Sequence, residues 1–137
     1  MKSKVIMAMA CASLAIGCVS TVSTGGFEVS VYEGNTAGNA VRIDDRYFAK
    51  QFSIEATNIR RESSGVVAAQ VRVRNMRNKD IPIQYKFMFF DNDGMEIQPG
   101  VRSWEQTTIH GGEAASLSAV TPVKSAVRFA LRVRRSL

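Results

Sequence analysis

The chain has 137 residues, with 18 Lys and Arg against 12 Asp and Glu, one histidine and two cysteines, for a net charge of +6 at pH 7. One histidine and two cysteines leave little material for a thiolate or imidazole metal cage or for a network of disulfides. The length suits one domain with an ordinary hydrophobic core.

The N-terminal segment reads as an export signal. Lys2 and Lys4 form a positive n-region, and Val5 to Ile16 form an apolar core. Twelve helical residues at about 1.5 Å each reach only about 18 Å, short of the roughly 30 Å of hydrocarbon that a membrane span must cross. Leu14-Ala15-Ile16-Gly17-Cys18 matches a bacterial lipobox, which implies cleavage after Gly17 and a diacylglyceryl thioether on Cys18. Cys11 is a second cysteine, but Val5 to Ala10 is too short an apolar core to precede a processing site. Each buried methylene contributes about 0.8 kcal/mol, so two or three acyl chains sum to well over ~20 kcal/mol of anchoring. The expected organisation is a signal peptide at residues 1–17, a lipidated Cys18 with a flexible tether over 18–26, and one domain over 27–137. Loss of Lys2 and Lys4 with the signal lowers the charge from +6 to +4. A moderately basic exported body excludes a nucleic-acid partner and leaves lipid head groups, lipopolysaccharide phosphates, peptidoglycan and acidic protein faces as the available anions.

Val19 to Gly26 is polar and ends in two glycines, as a tether should; eight extended residues reach at most about 28 Å. From Phe27 onward the dominant period is two. Phe27, Val29 and Val31 alternate with Glu28 and Ser30, a half-buried strand. Glu33 to Asn39 reads as a loop. Phe52, Ile54 and Ala56 form a second alternation, and Val67, Ala69, Val71 and Val73 form the clearest strand in the chain. Asn75 to Asp80 is a polar turn, with Pro82 at the entrance of the next strand, where its missing N–H does least harm.

Ile83, Tyr85, Phe87 and Phe89 share one face, with Met88 and Phe90 on the other. Asp91-Asn92-Asp93-Gly94 is a turn whose glycine supplies positive φ. Val101 to Ile109 predicts a further strand, broken or bulged near Ser103, and His110-Gly111-Gly112 turns the chain into Ala115, Leu117 and Ala119. Val127, Phe129, Leu131 and Val133 then alternate with Arg128, Arg132 and Arg134. No stretch of ten or more residues carries a helical stripe. Six to eight short strands with turns every 8 to 12 residues predict an all-β, antiparallel β-sandwich.

Catalytic material is sparse. His110 lies beside two glycines in a turn, whereas a nucleophile–base–orienter set needs partners. Asp44 and Asp45 are adjacent, and adjacent residues on a strand point to opposite faces, so they make a poor acid–base couple. Asp91, Asp93 and Glu96 gather three carboxylates, but at the wrong spacing for a calcium loop. No cofactor, metal site or enzymatic activity is expected. Arg72, Arg74, Lys86, Arg128, Arg132 and Arg134 all fall out of phase with the apolar residues of their strands. If those strands pair, one sheet face becomes a positive plate able to receive an acidic partner; otherwise the six are solvated and their stems cover the sheet. Glu55, Glu62 or Glu105 neutralises part of it where one of them falls between the arginines. Trp104, the lone tryptophan, reads as a core or rim residue ahead of a sugar-stacking platform.

Asn75-Met76-Arg77, followed by Ile83, Tyr85, Phe87, Asp91, Gly94 and Glu96, has the form Asn-x-Arg … Tyr-x-Phe-x-x-x-Asp-x-x-Gly-x-Glu. With Ile109 before a hairpin and the alternating last strand, the region Phe52 to Val133 resembles the YcfL-like family of small bacterial lipoproteins. The resemblance implies an immunoglobulin-like β-sandwich in the cell envelope and carries over no catalytic residues. Val19 after the lipidated position, in place of an aspartate, resembles enterobacterial lipoproteins delivered to the outer membrane. The expectation is therefore a noncatalytic, outer-membrane-anchored periplasmic lipoprotein of a Gram-negative bacterium that acts through contacts with another envelope protein. The alternative is a module that binds peptidoglycan or lipopolysaccharide through its basic face.

Overall fold

The computed structural model describes residues 25–33 and 40–136. The expected signal, Cys18 and most of the tether lie outside the described residues, as do residues 34–39 of the predicted loop. The described residues form β1 (Phe27–Tyr32), β2 (Ala40–Ile43), a single helical turn α1 (Arg46–Ala49), β3 (Phe52–Arg61), β4 (Val67–Asn75), β5 (Ile81–Phe90), β6 (Glu96–Ile97), β7 (Glu105–Ile109), β8 (Ala114–Thr121) and β9 (Arg128–Arg135). One sheet runs β2-β1-β9-β5-β6, with β7 also paired to β5, and the other runs β3-β4-β8. All pairings are antiparallel. This is the predicted sandwich, with nine strands in place of six to eight. The additions are β2 and β6, four and two residues long, too short for a period of two to show. Among the described residues no helix is long and apolar enough to cross a membrane.

The alternating residues of the larger sheet line up side by side on its inner face. Phe27, Val29 and Val31 stand opposite Val133, Leu131 and Phe129 in the ladder, and Leu131 and Phe129 stand opposite Phe87 and Phe89. From the smaller sheet Val67, Val71 and Val73 are fully buried and Leu117 nearly so. Each such side chain contributes about 1.5–3 kcal/mol when removed from water. The period of two is therefore a record of which side chain enters the core.

Two segments depart from the sequence expectation. In β3 the register shifts between Ile54 and Ala56, so that Ile54 faces Val73 and Ala56 already faces Arg72. Glu55 is the extra residue of this bulge. Ala56, expected inward, is exposed, and Ile59 instead packs against the core. The strand predicted over Val101 to Ile109 begins only at Glu105. Residues 98–104 form a loop, with positive φ at Gln98 (51°) and Gly100 (85°) just ahead of the predicted start.

The ends of the sandwich are closed by specific contacts. Asp45 caps α1 by accepting from the Phe48 N–H at 3.1 Å. The turn seats Phe48 on Phe27 and Phe52, with ring centroids 6.1 and 5.1 Å away. Gly26 enters the sheet so close to β9 that a Cβ there would lie 2.0 Å from the Val133 carbonyl oxygen. Arg61, at the end of β3, crosses to the other layer. It donates to the carbonyls of Lys124 (2.6 Å) and Ala126 (2.8 Å) and pairs with Glu33 at 2.9 Å.

Candidate functional site

The six cationic residues singled out from the sequence do not form one plate. Arg72 and Arg74 stand on β4, which pairs only with β3 and β8. Lys86 stands on β5 and Arg128, Arg132 and Arg134 on β9, in the other sheet. The condition for a single face, that these strands pair, is not met, and the residues divide between the outer faces of the two layers. A period of two tells inside from outside, but both sheets have an outside.

The two faces differ in what meets the charge. On the smaller sheet the β3 bulge turns Glu55 toward β4. Its carboxylate accepts from Arg72 Nε at 3.2 Å and forms a short contact with Arg74 Nε. These contacts, the Arg74 hydrogen bond foremost, hold the Glu55 carboxyl below the usual carboxylate range. Arg74 also donates to the Gly112 carbonyl at 2.8 Å. Farther along this face Ala68 and Gln70 stand between Val120 and Ser118 on β8 and Arg60 and Asn58 on β3, and Arg60 pairs with Glu62 at 2.9 Å.

On the larger sheet only Arg132 is heavily engaged. It pairs with Glu28 at 3.3 Å and Asp44 at 2.7 Å, and Asp44 also accepts from Arg42 at 3.2 Å. Burial disfavours the Asp44 charge, but the hydrogen bonds from Arg42 and Arg132 more than reverse that, and its pKa is lowered. Arg128, Arg134 and Lys86 have no carboxylate partner among the described residues. They lie on aromatic rings instead. The Arg128 guanidinium sits 3.7 Å from the Phe90 ring centroid and 5.4 Å from that of Tyr32. The Arg134 guanidinium sits 3.7 Å from the Trp104 centroid and donates to Gln84 at 2.9 Å. Lys86 Nζ lies 5.6 Å from the same indole. Trp104 is thus a half-buried residue on the outer face. Pairing of Phe90 and Gln84 with Arg128 and Arg134 fixes the order of this aromatic and cationic strip.

The other sequence candidates have structural partners. Asp45 caps α1 and pairs with Arg135 at 3.0 Å, so its pKa is lowered, first by the Phe48 N–H and then by Arg135. His110 Nδ1 lies 3.1 Å from Asp80, which also accepts the Gly111 N–H at 3.0 Å. Asp91 accepts the N–H groups of Asp93 (2.9 Å) and Met95 (3.0 Å) and so closes its own turn. Among the described residues no three His, Cys, Asp or Glu side chains gather as a metal site, and no buried side-chain nitrogen or oxygen lacks a partner. Cys18, the expected lipidation site, lies outside the described residues.

Asn75, noted in the sequence as a turn and motif residue, proves to be a structural knot. It is fully buried; its amide donates to the carbonyls of Lys79 and Ile109, both at 2.8 Å, and its side-chain oxygen accepts from Arg77 N–H at 2.8 Å. Its backbone bonds Glu113 and Gly112, which ties the 76–80 turn to the His110 turn. Gly111 is required at that contact, since a Cβ there would lie 2.6 Å from the Asn78 carbonyl carbon. The cue in the sequence is a polar residue at an inward position of an otherwise apolar strand.

The fold resembles solved structures. A crystal structure of a DUF1425 family member from Shewanella sp. pv-4, at 1.81 Å resolution, superposes with a TM-score of 0.57 at 27% identity, covering 84% of this chain and 93% of that one. The crystal structure of Campylobacter jejuni cj0090 has a TM-score of 0.53 at 18% identity, covering 61% of this chain and 85% of that one, a likeness of fold alone. No curated protein matches the sequence. The family profile described as "Protein of unknown function (DUF1425)" matches residues 39–135, most of the described body, and the chain belongs to that family.

Proposed function

We propose that the chain is a noncatalytic lipoprotein of the YcfL-like type, held at the periplasmic side of the outer membrane by lipid on Cys18, and that it serves the envelope as a protein-interaction module. The observation that carries this reading is the aromatic and cationic strip on the larger sheet. The Arg128 and Arg134 guanidinium groups lie over the Phe90 and Trp104 rings, 3.7 Å from their centroids, with no carboxylate partner among the described residues. Arginine and large aromatic residues are enriched at protein interfaces, and a stacked guanidinium loses less freedom on binding than a free one. An acidic protein face would supply the missing carboxylates. The lipobox ending at Cys18 supports the envelope location.

The test is photo-crosslinking in cells from Ser30 and Gln106, whose ladder positions flank the strip, with the exposed Gln70 on the central strand of the other sheet as control. An adduct with one envelope protein, formed from the strip positions and lost in the Arg128→Glu, Arg134→Glu variant, is the expected result. Adducts at background from both strip positions overturn the reading. Anchoring is tested separately: Cys18→Ser is expected to move the protein from the membrane to the soluble fraction.

A second reading, binding to peptidoglycan or lipopolysaccharide, is favoured by Trp104 standing beside both Arg134 and Lys86, since an aromatic ring next to cations suits a charged glycan. Cosedimentation of the full-length protein with purified sacculi, weakening as salt rises, supports it; no binding at low salt ends it.

A further inference from the structure

The edges of the two sheets are guarded unequally. A free strand edge offers unpaired N–H and C=O groups, and proteins blunt it with charge, bulges, proline or brevity. In the larger sheet β2 is four residues long and carries Arg42, β6 has two residues, and β7 has five with Glu105. In the smaller sheet β3 is bulged and carries Glu55, Arg60 and Arg61. The opposite edge, β8, has none of these devices. Its eight residues, Ala-Ala-Ser-Leu-Ser-Ala-Val-Thr, contain no charge and no proline, and they pair with β4 in unbroken register from Thr121 to Ala114.

The sequence of this edge is its own mirror. Ala115-Ser116-Leu117-Ser118-Ala119 reads the same in both directions about Leu117. Two antiparallel strands related by a twofold axis present the same residues to each other in reverse order, so a palindromic strand meets a matched copy. With the axis at Leu117, Ala115 stands opposite Ala119, Ser116 opposite Ser118, and Leu117 opposite itself. The exposed serines then share the outer face, where cross-strand hydroxyl pairs stabilise a ladder. Ala115, Leu117 and Ala119, which pack against the core, continue the inner face. No charge is brought against its like.

The surroundings agree. Arg102 donates to the Val120 carbonyl and closes the edge at that end, leaving the palindrome as the open stretch. Beside it lies a shallow cleft of about 350 Å³ whose lining includes Phe87, Val101, Arg102, Ala119 and Pro122. Val101 and Val120 are 69% and 56% exposed, two large apolar side chains next to one uncharged edge. We infer that β8 is a self-pairing edge: a second copy of this chain adds its β8 antiparallel about Leu117, joining two three-stranded sheets into one of six strands and covering Val101 and Val120.

The test uses full-length chains carrying different tags, one with Ser116→Cys and one with Ser118→Cys, expressed together and oxidised in isolated membranes. The control is Ser53→Cys with Asn58→Cys on the β3 edge. The expected product is a disulfide-linked species containing both tags, at least fivefold above the β3 control and above Ser116→Cys paired with itself. A level no higher than the control overturns the inference. Predominance of like-with-like links overturns the antiparallel register, and a crosslink only to a protein of different mass assigns the edge to a foreign strand and overturns self-pairing.

Discussion

The outer faces of the two sheets carry arginines at equivalent, solvent-facing positions, yet they solve the placement of charge in opposite ways. On the smaller sheet Arg72 and Arg74 converge on Glu55. On the larger sheet Arg128 and Arg134 rest on Phe90 and Trp104 and keep their charge uncompensated. Counting cationic residues by strand phase therefore says little about the field a surface projects; the side chain that each cation meets decides it. A paired face has part of its charge neutralised, one carboxylate against two arginines here, and a stacked one remains available to a partner.

The comparison assumes that both faces ride on one cooperative core, and the most severe way to break it is to place a charge inside. Val71→Asp and Phe87→Asp are expected to unfold the domain, because a buried carboxylate without a partner costs several kcal/mol against a typical total of about 5–15. Loss of the cooperative thermal transition would show it. Asn75→Ala is expected next, at about 3 kcal/mol: the amide serves two carbonyls and an N–H, and buried groups left without partners cost about 1–3 kcal/mol each. Urea denaturation measures this as a lower midpoint with unchanged slope.

Asp45 gives a smaller effect with a definite pH dependence. Its pKa is lowered in the folded state, so the stabilisation is complete above its unfolded value of about 3.9 and drains away as pH falls through the lower folded value. Asp45→Ala is expected to cost about 1 kcal/mol at neutral pH, as a lost helix cap does. The gap from the unaltered protein should close on acidification, and thermal scans across pH 2 to 7 would follow it. A constant gap would assign the effect to packing.

The smallest expected change in stability is also the one that sharpens the contrast between faces. Glu55→Gln should leave the thermal midpoint almost unchanged, since exposed ion pairs contribute little. It should nevertheless release Arg72 and Arg74 and raise retention on a cation-exchange column. Arg72→Asp should likewise be tolerated within about 1 kcal/mol.

Legibility followed the length of each alternation. β4 and β9 hold eight or more residues in strict phase, so their core sets, Val67 to Val73 and Phe129 to Val133, can be read directly. β2 and α1 have four residues each, less than a period needs to declare itself. The bulge at Glu55 reverses the phase of β3 by one residue, and nothing in Phe52 to Arg61 marks it, because Ala56 suits either face. Strand partners are the deeper gap. Alternation assigns a face but not a sheet, which is why Arg72 and Arg128 read alike in sequence and lie on opposite layers. Asn75 and the glycines of the His110 turn were visible as motif and turn residues, while their mutual hydrogen bonds depend on a contact 34 residues apart.

The bulge in β3 has an evolutionary corollary. Its supernumerary residue is the acid that offsets part of the charge on the smaller sheet, so excision of that one codon would restore a regular Ile54, Ala56, Thr57 succession along Val73, Arg72 and Val71. The inward set would stay the same while two guanidinium groups lost their counterion. An indel, in other words, toggles the surface potential of this layer without disturbing what lies beneath it.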